Sequence, residues 1–164
     1  MQLRIVVMGV SGAGKSTVGR ALADRLALPF IDGDDLHPAE NVQKMASGIP
    51  LTDADRDPWL GRVGSSLHEG AGGRVIACSA LKRSYRDVIR AAEPEVVFVE
   101  LDGSKQLLAD RLHQRANHFM PAALLDSQLN TLEPLGADET GVRVDISRGV
   151  DDLVDDIVSR WNFG

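Results

Sequence analysis

The stretch LRIVVMGVSGAGKSTVGRALA (residues 3–23) decides the architecture. Leu3 to Met8 is a nearly unbroken apolar run that ends in glycine, which predicts a buried parallel strand. Val18, Ala21, Leu22 and Leu26 then recur at helical spacing, with Arg20, Asp24 and Arg25 mostly on the other side, which predicts a helix over 15–27. Between strand and helix, Gly9-Val10-Ser11-Gly12-Ala13-Gly14-Lys15-Ser16 fits the pattern G-x-x-x-x-G-K-[ST]. Glycines let the main chain curl so that several N–H groups point inward and make a nest for an anion. The helix that follows adds its positive end. Lys15 reaches the β and γ phosphates as a point charge, and the Ser16 hydroxyl suits Mg²⁺. This much reads as a nucleoside triphosphate site. It leaves kinase, GTPase and motor open.

Outward from that stretch, short β-branched runs alternate with helical periodicity. Strands are expected at 29–31, 74–78, 95–101 and 141–146. Helices are expected at 39–47, 52–68 (capped by Thr52), 84–92 (capped by Ser84), 104–115, 121–132 and along the face of Leu153, Val154, Ile157, Val158 and Trp161. Pro58, Gly61 and Gly64 are weak points within the helix expected over 52–68. The pattern predicts one α/β domain over residues 1–164, a five-stranded parallel sheet with helices on both faces. Ligands in such sheets sit beyond the carboxyl ends of the strands, so the segments after Met8, Ile31, Cys78 and Leu101 should surround one crevice.

Composition narrows the function classes. The chain has 164 residues, 43% of them apolar and 26% charged, which is ordinary for a folded domain. The net charge of −6 argues against a general binder of nucleic acid or anionic membrane, which needs a basic face. No apolar stretch is long enough for a membrane span, and the opening residues do not read as a cleavable leader. The single cysteine, Cys78, excludes an internal disulfide and reads as a small core residue. A reducing, cytoplasmic setting is expected.

Three further clusters carry chemistry. In Asp32-Gly33-Asp34-Asp35-Leu36-His37-Pro38, Asp32 and Asp34 can share one side of an extended segment. One carboxylate can hold Mg²⁺, directly or through water, and another can accept a hydrogen bond from a hydroxyl being phosphorylated. A solvated acidic turn is the plainer reading, and His37 fits either a turn or a substrate contact. In Cys78-Ser79-Ala80-Leu81-Lys82-Arg83-Ser84-Tyr85-Arg86, small residues let a substrate approach the backbone. Lys82 and Arg86 lie near a helix start, where cations need an anionic partner or water. Arg111 and Arg115 share a helix face before Asn117-His118-Phe119-Met120-Pro121, which suits a lid over about 111–125 that neutralises transition-state charge. Arg56 has acidic neighbours, and its position also suits a clamp for a substrate carboxylate.

With these residues assembled, the chain resembles the gluconokinases of the short phosphate-loop type over nearly its whole length. The resemblance is carried by GVSGAGKSTVGRALA (9–23), FIDGDDLHPAENVQKMASGIPLTDADRDPWL (30–60), CSALKRSYRDVIR (78–90), FVELDG (98–103), RLHQRANHF (111–119) and LLDSQLNTLEP (124–134). It implies a P-loop fold of nucleoside-monophosphate-kinase type, related to shikimate kinase, and phosphorylation of D-gluconate by ATP with Mg²⁺. Gly9, Val10, Ser11, Gly12, Ala13, Gly14, Lys15, Ser16 and Thr17, with Arg111 and Arg115, would bind ATP, and Ser16 and Asp32 the metal. Lys15, Asp34 and Arg115 would be catalytic. Asp34, His37, Arg56, Ser79, Ala80, Lys82 and Arg86 would bind the acceptor, and 147–150 the adenine. A homodimer is implied too. One departure stands out: Ala116-Asn117 replaces the family's common Lys-Gly, which removes a cation and a glycine from the lid. Two rival readings remain, another small-molecule kinase of the same fold and a regulatory protein that binds ATP without transfer.

Overall fold

The computed structural model describes residues 3–114 and 122–161. Five strands form one all-parallel sheet in the order β2-β3-β1-β4-β5: β1 (Leu3–Met8), β2 (Phe30–Asp32), β3 (Gly73–Ala77), β4 (Val97–Asp102) and β5 (Gly141–Asp145). The helices are α1 (Lys15–Leu26), α2 (Ala39–Ala46), α3 (Asp53–Glu69), α4 (Arg83–Ala92), α5 (Lys105–His113), α6 (Ala122–Thr131) and α7 (Val150–Trp161). A 3-10 turn over Gly33–Leu36 follows β2 and was not foreseen from sequence.

The apolar run of β1 serves both faces because side chains alternate along a strand. Ile5 and Val7 point into a layer with Val18 and Leu22 of α1, Leu108 of α5, Leu125 of α6 and Ile157 of α7. Val6 and Met8 point into the opposite layer, with Trp59, Leu60, Val63 and Leu67 of α3 and Tyr85 and Ile89 of α4. A central strand buried on both sides must be apolar throughout, which is why β1 is so legible.

The helix expected over 52–68 is present, and one expectation about a cap is corrected. Helix α3 runs unbroken through Pro58, Gly61 and Gly64. A reciprocal capping box between Thr52 and Asp55 starts it, and its buried face outweighs local propensity. Gly64 aids that packing. A Cβ there would lie 2.6 Å from Ala92 Cβ and 2.8 Å from the Ile89 carbonyl oxygen, so glycine permits α3 and α4 to approach. Ser84 does not cap α4. Lys82 holds the cap position, and the acceptor for the Arg83 amide is the Glu133 carboxylate at 2.9 Å, 50 residues away in sequence.

Candidate active site

The carboxyl edge of β1, β3 and β2 builds the site. Gly12 and Gly14 adopt φ of +86° and +91°, in the left-handed region that glycine alone enters freely. They turn the chain from β1 into α1 and leave the α1 amino end open. A Cβ on Gly12 would meet Leu112 Cγ at 3.0 Å, so the loop is seated closely on α5. Lys15 Nζ donates to the Val10 carbonyl at 3.1 Å and arches over the loop. The Gly9 amide donates to the Ser79 carbonyl at 3.3 Å, tying the loop to the segment after β3.

Beside the loop lies a cavity of about 340 Å³. Thr17, Arg111, Gln114, Arg148 and Val150 help to line it, together with the glycines of the loop. The segment expected to meet adenine, 147–150, thus borders the phosphate loop. Arg111 NH1 would lie 3.9 Å from a Cβ on Gly14, and its NH2 donates to the Ile146 carbonyl. Arg115 and the Ala116-Asn117 departure lie outside the described residues, as do Arg115's expected catalytic and ATP-binding roles.

The turn after β2 carries the acidic cluster. Asp32 Oδ1 accepts from the Asp34 amide at 3.0 Å, and its Oδ2 accepts from the Ser16 hydroxyl at 3.4 Å. One carboxylate therefore shapes the turn and meets the α1 start. Gly33 is pinned beneath. A Cβ there would stand 2.4 Å from the Ala77 carbonyl oxygen, and Trp59 Nε1 donates to the Gly33 carbonyl at 2.8 Å. Asp34 projects from this turn. Desolvation by its surroundings and the Asp32 charge raise its pKa above the usual carboxylate range, against the pull of Lys15. Among the described residues no group of three or more His, Cys, Asp or Glu could hold a metal unaided. Ser16 and Asp32 instead offer two hard oxygens, the partial set that Mg²⁺ completes with phosphates and water.

His37 stacks on Trp59, ring centroids 4.1 Å apart and 16° from parallel. Asn41 Nδ2 donates to the Asp55 carbonyl at 2.9 Å and lies 3.2 Å from His37 Nδ1. This pattern makes Nδ1 the acceptor and leaves the proton on Nε2. Burial lowers the His37 pKa, opposed by Asp34 and aided by Arg56, so the ring is neutral at pH 7.

Arg56, Lys82 and Tyr85 converge on one carboxylate. Tyr85 Oη donates to Asp53 Oδ1 at 2.6 Å, Lys82 Nζ lies 3.5 Å from Asp53 Oδ2, and Arg56 NH1 lies 3.8 Å from Oδ1. Both cations also stand 5.5 Å from the centre of the Tyr85 ring. The Tyr85 bond is the chief reason that the Asp53 pKa is lowered, while burial pushes the Tyr85 hydroxyl up to about 12. Tyr85 and Asp53 were not singled out from sequence. Their signal was spacing alone, Asp53 three before Arg56 and Tyr85 three after Lys82.

Two expected acceptor contacts sit differently. Arg86 is wholly buried. Its NH1 donates to the Ala80 carbonyl at 3.0 Å, and its Nε and NH2 pair with Glu139. It therefore supports the segment from behind and does not reach an acceptor. Glu139, 53 residues away, is the anionic partner that the sequence reading sought in a ligand. Ala80 is also buried, with φ of +44°. Its carbonyl is taken up by Arg86, so the expected acceptor contact is not seen at Ala80. Ser79 and Lys82 remain partly exposed, and Cys78 is buried with its thiol pushed up to about 12, an inert core residue.

The shikimate kinase family model matches residues 11–135. A gluconokinase from Gluconobacter oxydans is 50% identical over 160 residues, spanning 96% of this chain and 90% of that protein. The thermosensitive gluconokinase of Escherichia coli is 48% identical over 149 residues, spanning 88% of this chain and 80% of that protein. Among solved structures, a gluconokinase from Sinorhizobium meliloti superposes with a TM-score of 0.87 at 49% identity, covering 96% of this chain and 90% of that one.

Proposed function

Since the chain belongs to the gluconokinases, within the shikimate kinase family, we propose that it transfers the γ-phosphoryl group of ATP to D-gluconate, giving ADP and 6-phospho-D-gluconate. One observation supports a hydroxylated carboxylate as acceptor, and family membership favours gluconate within that class. Arg56, Lys82 and Tyr85 already hold a carboxylate, that of Asp53, in the neighbourhood of His37 and Asp34. A sugar acid needs such a clamp at one end and a base at the other.

In this reading the phosphate loop from Gly9 to Thr17 binds the triphosphate through its amides, and Lys15 leaves the Val10 carbonyl for the β and γ oxygens. The 340 Å³ cavity takes the nucleoside, with Arg148 and Val150 beside it. Arg111 faces the phosphates, and Arg115 is assigned to the lid by family resemblance alone. Ser16 and Asp32 hold Mg²⁺, which when bound neutralises phosphate charge. Arg56 and Lys82 take the gluconate carboxylate, with Ser79 along its hydroxyls and His37 Nε2–H as a donor. Asp34 accepts a hydrogen bond from the terminal hydroxyl and orients it. As that oxygen bonds to the γ phosphorus, the bond to the β-phosphate oxygen breaks, and the hydroxyl proton passes late to Asp34. Most of the acceleration is positioning and charge stabilisation. Cytoplasmic location and a homodimer belong to the same reading on family resemblance.

The test is ADP release from purified protein with ATP and Mg²⁺ against gluconate, its epimers, shikimate and nucleoside monophosphates. Gluconate-dependent ADP, abolished in Lys15→Ala, is the expected result. Dependence on shikimate or a nucleotide favours the rival kinase. Nucleotide binding with no acceptor-dependent ADP favours a regulatory protein.

A further inference from the structure

The segment LLDSQLNTLEP (124–134) touches both loops of the site. It contains the end of α6 and the link beyond it. Gln128 lies on α6 and clamps the phosphate loop at two points. Its Oε1 accepts from the Ser11 amide at 2.7 Å, and its Nε2 donates to the Ser11 hydroxyl at 3.2 Å. Ser11 is the third residue of the phosphate motif, at the crest of the loop, and 117 residues separate the partners. Five residues after Gln128, Glu133 engages the other loop. Its amide donates to the Leu81 carbonyl at 2.8 Å, and its carboxylate accepts from the Arg83 amide at 2.9 Å. Between these two anchors, Leu129 and Leu132 pack against the core, and Leu125 is buried in it.

One short, well-packed strut thus contacts the loop expected to carry the phosphoryl donor and the loop expected to carry the acceptor. Transfer demands that the attacking oxygen and the γ phosphorus be placed to within a fraction of an ångström. Val10 and Ala13 root the phosphate loop in the core and Leu81 roots the other loop, but none of these side chains holds the Ser11 amide and hydroxyl. A carboxamide is suited to the crest because it supplies one acceptor and one donor without adding charge near a polyanion. We propose that Gln128 is a positioning residue for phosphoryl transfer, holding the crest of the phosphate loop in register with the Ser79–Lys82 segment that Glu133 anchors. This rests on the kinase reading above. It assigns Gln128 no contact with the reacting atoms.

The test is steady-state kinetics of Gln128→Ala with ATP, Mg²⁺ and gluconate, beside thermal melting and binding of a non-hydrolysable ATP analogue. The expected result is a fall in kcat of about tenfold or more, with both KM values and analogue affinity within about threefold of wild type. A residue that merely supported the fold would lower the melting temperature and leave the kcat of the folded fraction intact. Gln128→Met, which keeps length and packing and loses both hydrogen bonds, replaces the alanine variant if that one does not fold. A wild-type kcat in both Gln128 variants overturns the proposal. If the wild-type protein itself leaves gluconate unmodified, the kinase reading falls first and the positioning role goes with it. If wild type transfers and the variants match it, the positioning role falls alone.

Discussion

The Arg86 guanidinium lies side-on against the Glu139 carboxylate, Nε to Oε1 at 2.8 Å and NH2 to Oε2 at 2.9 Å, with both side chains shut off from water. Burial by itself pushes the Glu139 carboxyl up. The bonds from Arg86, the Gly136 amide and Arg90 outweigh it and bring the carboxyl down to about 2. The pair stands behind the Ser79–Lys82 segment through the bond from Arg86 to the Ala80 carbonyl, so its effect on the crevice is indirect.

Removing one partner should therefore be costly to the fold. Arg86→Met leaves a buried carboxylate without its main partner and should lose ~3–5 kcal/mol in urea unfolding. The double variant with Glu139→Met should recover most of that loss. The pH dependence has a definite sign. The folded pKa near 2 lies below the ordinary glutamate value of 4.5, so this stabilisation is present above about 4.5 and is lost as pH falls toward 2. Glu139→Gln should flatten the acid limb of stability in that window. A loss under ~1 kcal/mol for Arg86→Met would place the pair among ordinary surface bridges.

Asp34→Asn should keep nucleotide affinity while transfer falls by ~10²–10⁴. Because desolvation and Asp32 raise the Asp34 pKa above 3.8, the acid limb of kcat/KM should lie higher than for an ordinary aspartate and vanish in the variant. The same shift acts in reverse on stability. A raised pKa stabilises the fold at low pH, and that contribution is lost as pH rises through the folded value. At neutral pH the ionised Asp34 opposes folding, so Asp34→Asn should melt at or above the wild-type temperature. Retained transfer would remove Asp34 from the reaction.

Arg56→Ala should raise the gluconate KM about tenfold or more, the worth of a charge-assisted contact of ~1.5–3 kcal/mol, with the ATP KM little changed. Lys82→Ala should act in the same direction, since both cations lie against one carboxylate in the structure. Initial-rate kinetics with each substrate varied in turn gives the answer. A larger effect on ATP would move the clamp to the nucleotide side.

Gly33→Ala and Gly61→Ala make a matched pair. At Gly33 the new Cβ meets the Ala77 carbonyl oxygen at 2.4 Å, a backbone atom with nowhere to go. The loss should be ~1–3 kcal/mol or more, and the displaced turn should carry Asp32 and Asp34 out of place, so turnover falls further than stability. At Gly61, inside α3, nothing stands within 4 Å of the added methyl. That substitution should stabilise by ~0.5–1 kcal/mol and leave turnover alone. Melting curves and kcat for the two variants decide the matter.

Read along the chain, the residues themselves determined a good deal. Leu3–Met8 had to be a doubly buried strand, because an unbroken apolar run has no solvent side to offer. The glycines and Lys15-Ser16 after it had to make an anion nest, because that chemistry is local and needs no partner from elsewhere. Asp34 and Arg56 stood out for the same reason, as charges placed at a strand end or beside a cap. What the tertiary structure decided was every relationship between distant residues. Arg86 reads locally as a cation needing a ligand, and only folding supplies Glu139. Ser84 reads as a cap, yet Glu133 arrives in space to do that work. Pro58 and Gly64 weaken the helix locally, and packing of α3 on α4 carries it through them. Gln128 is one polar residue among many until the fold lays it on Ser11. The division follows from range: propensity, capping boxes and nests act over a few residues, whereas burial and pairing depend on which surfaces the sheet brings together.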